Sequence, residues 1–317
     1  MTKLKEISTV GMSREEWLEH RRNTIGGSDA AALLGLNKWS SPLSVYMEKK
    51  GITPPKPDNL AMRLGREFED VVAKLFEEQT GKKARRKNAI LYNPDIPFAH
   101  ANVDRLIVGE NAVLECKTTS ELNLHSFKNG EYPNRFYVQV LHYMMVGGYE
   151  RGYLAVLVGN HQFLVYTIER DEEEIATLRA VEEAFYNDHL LPSIPPEPIG
   201  TEPDDTALNA AYPADEGDEE VDLSGFTAEL DAIETAKRNR ALCDEIISAA
   251  EQSIKLMMGT APRGKCGRYT VTWKQQTRNS VDTAALKAAY PDIDIPYKQT
   301  VSRPFSIKTR KESMTHD

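Results

Sequence analysis

The chain has 317 residues, 40% of them hydrophobic, and a formal net charge of −9. It can bury a real core, as one large domain with an extension or as two domains. Three cysteines without paired spacing (Cys116, Cys243 and Cys266) exclude a disulfide framework, a zinc ribbon and an all-cysteine iron–sulfur cluster.

The N-terminus lacks the apolar stretch of a signal peptide, and no run approaches the ~20 apolar residues of a membrane span. A cytoplasmic protein without a membrane is expected. The charge is uneven. Residues 1–150 balance at +2, residues 151–231 at −17 and residues 232–317 at +6. The acid lies in one central block, so the flanking parts remain able to present basic faces to a phosphate backbone.

In chain order, Ser13 with Glu16 predicts a capping box and a helix start over 13–20. Gly26-Gly27 breaks the chain, and Ser28 caps the short helix that "DAAALL" favours. A short amphipathic helix follows over 41–50. Over 60–80, Leu64, Phe68, Val71, Val72, Leu75 and Phe76 recur at helical spacing, and Gly81 ends the run. The basic run Lys82 to Lys87 is a candidate phosphate-contacting patch or a solvated turn.

Three strands then form a meander, "AILYNP", "FAHANVDRLIVG" and "AVLECKTT", with turns at Asn93-Pro94 and Gly109-Glu110-Asn111. A helix over 133–148 runs from Pro133 to Gly147-Gly148. Two strands around a Gly-Asn turn follow, then an acidic helix over 171–190. The expected class is α/β, a mixed central sheet flanked by helices. Residues 192–223 hold six prolines and ten acidic residues and read as a linker or extended strap. Residues 224–317 are expected to add a long amphipathic helix, a β-hairpin and a basic tail. In the hairpin, Tyr269, Val271 and Trp273 alternate as a buried face or, alternatively, stack on single-stranded DNA.

The chemistry concentrates between His100 and Ser120. Strand alternation puts Glu115 and Lys117 on one face, with Asp104 on the partner strand. Two hard carboxylates suit Mg²⁺, which takes few protein ligands and keeps several waters. A cross-strand ion pair on a solvated face explains a bare Glu-x-Lys equally well. His100, His125, His142 and His161 show no ligand spacing and are expected to be structural or surface residues.

These residues resemble the Asp…Glu-x-Lys hairpin of the PD-(D/E)xK nuclease superfamily, with Val103 where the pattern carries Pro. Four further motifs narrow the resemblance: "WLEHRR" and "TIGGSDAAALLG" at the start, Glu69 on the helix before the sheet, and Gln139 and Tyr143 one turn apart in "YVQVLHYMMV". Over about residues 13–190 the chain is similar to the lambda-exonuclease-like family, in its YqaJ-type viral recombinase branch.

The resemblance implies a restriction-endonuclease-like fold over 1–191. It implies Mg²⁺, with Mn²⁺ able to substitute, on Asp104, Glu115 and the Cys116 carbonyl. Lys117 would handle the nucleophilic water and Glu69 complete the metal or water shell, while Gln139 and Tyr143 face the scissile region. Arg21, Ser28 and Asn102 would hold a terminal 5′-phosphate, Asn102 standing where the family carries Ser. The implied activity is a phage or prophage DNA exonuclease in the bacterial host cell. It would act 5′→3′ on double-stranded ends, as a trimeric ring, beside a single-strand annealing protein. An endonuclease of the same fold and a catalytically silent DNA-binding scaffold are the alternatives.

Overall fold

The computed structural model describes residues 3–54, 58–214, 220–277 and 280–290. The basic tail beyond residue 290 lies outside them. The described residues up to Ala214 form one compact unit, and those from 220 to 290 belong to a second.

The first unit opens with strand β1 (Lys5–Ser8) and helix α1 (Arg14–Arg22). Ser13 Oγ accepts from the Glu16 amide at 3.2 Å while the Ser13 amide donates to Glu16 Oε2 at 2.9 Å, the expected capping box. Helices α2 (Gly27–Leu33), α3 (Pro42–Lys49) and α4 (Leu60–Thr80) follow. Gly81, with φ 71°, ends α4 as expected. Ser28 is not the cap of α2. Gly26 holds that position, and its amide donates to Asp29 Oδ2 at 2.9 Å.

The central sheet has five strands in the order β2 (Ala84–Arg86), β5 (Arg105–Ile107), β6 (Ala112–Thr119), β7 (Arg151–Val158), β8 (Gln162–Glu169). Only the β6–β7 pair is parallel, and α5 (Asn134–Gly147) is its crossover. A second sheet pairs β1, β3 (Ala89–Tyr92) and β4 (His100–Ala101). The sequence reading expected one strand from Phe98 to Gly109. The chain instead leaves the small sheet after Ala101 and joins the central sheet at Arg105. Asp104 lies in the step between them. The basic run is not a turn. It contains β2, and Lys82, Lys83, Arg86 and Lys87 are paired with Glu110, Glu77, Asp70 and Glu6.

Both faces of the central sheet are covered. Val113, Leu154, Val156 and Val158 share a cluster with residues of α2, α3, α5 and α6 (Glu172–Phe185). Ala112, Leu114, Tyr153 and Ala155 pack with Val72, Ala73 and Phe76 of α4. The sheet-facing residues of α4 differ from the expected stripe. Val72 and Phe76 are buried, while Leu64, Phe68 and Val71 are exposed by 38–44%. The helix meets β6 and β7 through Val72, Ala73 and Phe76.

The Pro-rich acidic segment is not extended throughout. Glu202–Ala211 is helix α7, docked on α3, where Ser41 Oγ donates to buried Asp204 Oδ1 at 2.5 Å. In the second unit, α8 (Thr227–Met258) is the long helix expected, with no buried residue. Strands β9 (Arg263–Cys266) and β10 (Tyr269–Thr272) form the hairpin. Tyr269 and Trp273 are exposed rather than buried, because two strands alone offer no second layer to pack against.

Two histidines are structural, as expected. His142 on α5 is fully buried, with Nδ1 2.7 Å from Glu182 Oε1 and Nε2 2.8 Å from the His100 carbonyl. Burial alone would lower the His142 pKa, but the Glu182 carboxylate outweighs it and the net shift is upward. Glu182→Ala would strand this imidazole, and a loss of about 3–5 kcal/mol is expected in chemical denaturation. The pair's contribution is lost as pH rises through the raised folded-state pKa of His142, so the gap between wild type and variant should narrow in alkaline buffer. Burial also raises the Glu182 carboxyl, so the pair weakens in acid as well.

Candidate active site

Glu115 is the centre of the site. It sits on β6, a central strand, and is only 2% exposed. Its Oε1 accepts from Gln139 Nε2 at 2.8 Å and pairs with Lys117 Nζ. Its Oε2 is buried with no partner among the described residues. Glu115 and Lys117 do share a strand face, the one covered by α5. Asp104 approaches from the step before β5, and its Oδ2 accepts from the Cys116 amide at 2.8 Å.

The charges are frustrated. Burial pushes the Asp104 carboxyl well above the usual carboxylate range, and Glu115 and Glu69 push it further. Burial would lower Lys117, yet Glu115 and Asp104 more than offset it and keep the ammonium charged. Burial also raises the Cys116 thiol, with Asp104 and Glu115 adding to it. A buried carboxylate pair with one unpartnered oxygen fits a hard divalent cation, whose charge would relieve the repulsion. No group of three or more His, Cys, Asp or Glu side chains is placed to hold a metal among the described residues.

Glu69 lies near enough to Asp104 to raise its carboxyl. Its carboxylate is held by Arg105, which alternates to the α4 side of the sheet and also pairs with Asp70 at 2.5 Å. Tyr143 is buried, and its Oη accepts from Gln139 Nε2 at 2.7 Å. Tyr143 thus fixes the amide that orients Glu115.

Arg21 and Ser28 are brought together at the wall of a cavity of about 820 Å³, which Gln139 also lines. Arg21 Nη2 donates to Ser28 Oγ at 2.9 Å, and Trp17 lies 4.1 Å from the guanidinium. Arg21 Nε is buried without a partner among the described residues, as is Asn102 Oδ1. Asp29 and Lys49 were missed from sequence. They form a 2.7 Å ion pair beneath this wall, and Lys49 Nζ donates to the Arg21 carbonyl at 3.1 Å. Burial would raise Asp29, but Lys49 and Arg21 outweigh it and hold its carboxyl low. The i, i+4 spacing of Trp17 and Arg21 was the available signal for the stack. Nothing local signals Asp29 with Lys49, twenty residues apart.

Gly26 and Gly27 are also tight packing positions. A Cβ at Gly27 would meet Tyr143 Cε1 at 2.7 Å and Gln139 Cγ at 3.2 Å, and one at Gly26 would meet His100 Nε2 at 2.9 Å. The glycines let α2 press against the residues that hold Glu115.

Comparison with known proteins follows this geometry. Residues 16–150 match the YqaJ-like viral recombinase domain. The chain is 41% identical over 304 residues to the uncharacterized protein YqaJ of Bacillus subtilis (strain 168), covering 94% of this chain and 95% of that protein. The chain belongs to the YqaJ-like viral recombinase family. Among solved structures, an alkaline exonuclease from Laribacter hongkongensis is similar to it at 20% identity. That match has a TM-score of 0.46 and covers 55% of this chain and 91% of the other. A phage-related exonuclease from Haemophilus somnus is similar at 11% identity and TM-score 0.40, covering 54% and 97%. The domain match spans every site residue named above, from Trp17 to Tyr143. No described helix is long and apolar enough to cross a membrane.

Gly27→Ala tests the packing of this YqaJ-family site. Overpacking should cost about 1–3 kcal/mol in thermal or chemical unfolding. The displaced Tyr143 and Gln139 should release Glu115, so any metal-dependent activity should fall more than stability alone accounts for.

Proposed function

We propose that the chain is a Mg²⁺-dependent deoxyribonuclease that degrades linear duplex DNA from its ends, 5′→3′, leaving single strands for recombination. The observation that carries this reading is the convergence of Asp104, Glu115 and Lys117, with Glu115 Oε2 buried and unpartnered. Asp104, Glu115 and the Cys116 carbonyl would hold the cation. When bound, it supplies Lewis-acid activation of water and neutralises charge on the phosphate. Mn²⁺ would substitute.

The protein's own groups do the rest. Lys117, kept protonated, donates to the attacking water or to a phosphate oxygen. Gln139 fixes the Glu115 carboxylate, and Tyr143 fixes Gln139. Glu69, clamped by Arg105, steadies the step that carries Asp104. The Arg21–Ser28 pair receives the terminal 5′-phosphate, its buried Nε supplying a ready donor, with Asn102 as a further contact. Anchoring a 5′-phosphate beside the metal carboxylates favours exonuclease action with 5′→3′ polarity. A ring of three copies and a single-strand annealing partner complete the proposal. Pull-down of that partner should be lost on deleting residues 224–317.

Linear duplexes bearing 5′-phosphate or 5′-hydroxyl, beside a closed circle, test the reaction. Only the linear forms should be degraded, the phosphorylated one faster. Lys117→Ala should lower the rate about 100-fold or more. Arg21→Ala should erase the preference for 5′-phosphate, about tenfold or more for a charge-assisted bond. Cleavage of the circle would move the reading to an endonuclease, and no cleavage with Mg²⁺ or Mn²⁺ would move it to a scaffold.

Metal affinity should depend on pH in a set direction. Because the Asp104 carboxyl titrates above the usual carboxylate range, its proton competes with the cation in mildly acidic buffer. Calorimetric titration should show affinity falling as pH drops, with the onset at a higher pH than the ordinary Asp pKa of ~3.9 would give.

A further inference from the structure

The cavity that Arg21 and Ser28 line has a second end, built from residues that the reaction above leaves unused. Trp39 stands there, 55% exposed. Two cations lie against its indole, Lys38 Nζ at 4.5 Å and the Arg135 guanidinium at 4.7 Å from the ring centroid. Arg135 also lies 4.3 Å from the Phe136 ring centroid. It has no ion pair or hydrogen bond among the described residues. It occupies the first turn of α5, where the helix dipole disfavours a cation and favours an anion beside it. Phe136 in turn lies 5.4 Å from Lys117 Nζ. A continuous row thus runs from Lys117 through Phe136 and Arg135 to Trp39.

An exposed indole beside an unpaired guanidinium has the two elements of a single-strand nucleotide site, a π-face for a base and a donor fork for a phosphate. A paired base in a duplex is stacked on both faces and cannot use it.

We propose that Trp39 and Arg135 form a subsite for an unpaired deoxynucleotide of the strand whose 5′ end occupies the Arg21–Ser28 pocket, the base stacking on Trp39 and its phosphate held by Arg135. Lys38, long and solvated, yields or reinforces the phosphate contact. The subsite rests on the nuclease reading above but concerns binding, so it is measured apart from cleavage. It makes recognition tolerant of sequence, because every base has a π-face.

The experiment compares a 5′-phosphorylated single-stranded oligodeoxynucleotide with the same strand lacking its first few bases. Ca²⁺ replaces Mg²⁺ so that the full chain binds without cutting. Wild type should bind the intact strand about tenfold more tightly than the abasic one. Trp39→Ala should bind both alike, and Trp39→Phe should keep most of the difference. A merely structural Trp39 would weaken both strands equally, and that result overturns the subsite. So does a wild type that ignores the missing bases or binds neither strand. If Trp39→Ala does not fold, 2-aminopurine near the 5′ end decides with wild type. Its fluorescence should be quenched on binding, and an unchanged signal overturns the proposal. Base-dependent binding without Mg²⁺-dependent cleavage would instead show that the nuclease reading had failed while the subsite stood.

Discussion

Placing an ionisable carboxylate on a central strand, covered on both faces, is unfavourable unless every neighbour helps. Glu115 is in that position, and much of the first unit can be understood as its support. Lys117 follows on the same strand face. Gln139 arrives because α5 is the crossover between the parallel strands β6 and β7 and must lie over that face. Tyr143, one turn on, locks Gln139, and α2 locks Tyr143 through glycines that leave no room for a methyl group. One oxygen remains without a partner, and the cluster carries more negative charge than its interior tolerates alone. That unpartnered oxygen and that repulsion are what the cation proposed above would relieve.

The same glycines couple two halves of the site. Arg21 and Ser28 sit on elements tied to α3 by the Asp29–Lys49 pair, while Glu115 and Lys117 sit on the sheet. The contact of α2 with α5 sets the distance between them. The Arg21–Ser28 wall and the Glu115 cluster are then held in register by packing.

Local signals carried far in the sequence. The Ser13 capping box, the Gly81 stop, the Gly159 turn and the alternation of Glu115 with Lys117 follow from one- to four-residue rules. Features that depend on distant partners were hidden. The apolar residues of α4 read as one stripe, and nothing local shows that Val72 and Phe76 are buried against the sheet while Leu64, Phe68 and Val71 stay exposed. The basic run 82–87 could not reveal its carboxylate partners, one of which, Glu6, lies 81 residues away. The break between Ala101 and Arg105 leaves no mark on a pattern that reads as one strand. Gly26-Gly27 marks the start of α2 locally, but the neighbours it accommodates lie on β4 and α5 and could not be read from sequence.

Helix α7 bears on where the first unit can be cut. Composition alone places an end near residue 191, before the proline- and acid-rich segment. Asp204, however, accepts from Ser41 at the start of α3, and its other oxygen accepts from the amides of Ile199 and Thr201. Shortening the chain to 191 would uncover the face of α3 that α7 covers and leave the buried Ser41 hydroxyl without its acceptor. Since α3 also carries Lys49, the damage would reach the wall that holds Arg21. The smallest self-sufficient piece therefore runs past Ala211, and an acidic segment that looks like a spacer behaves as a structural clasp.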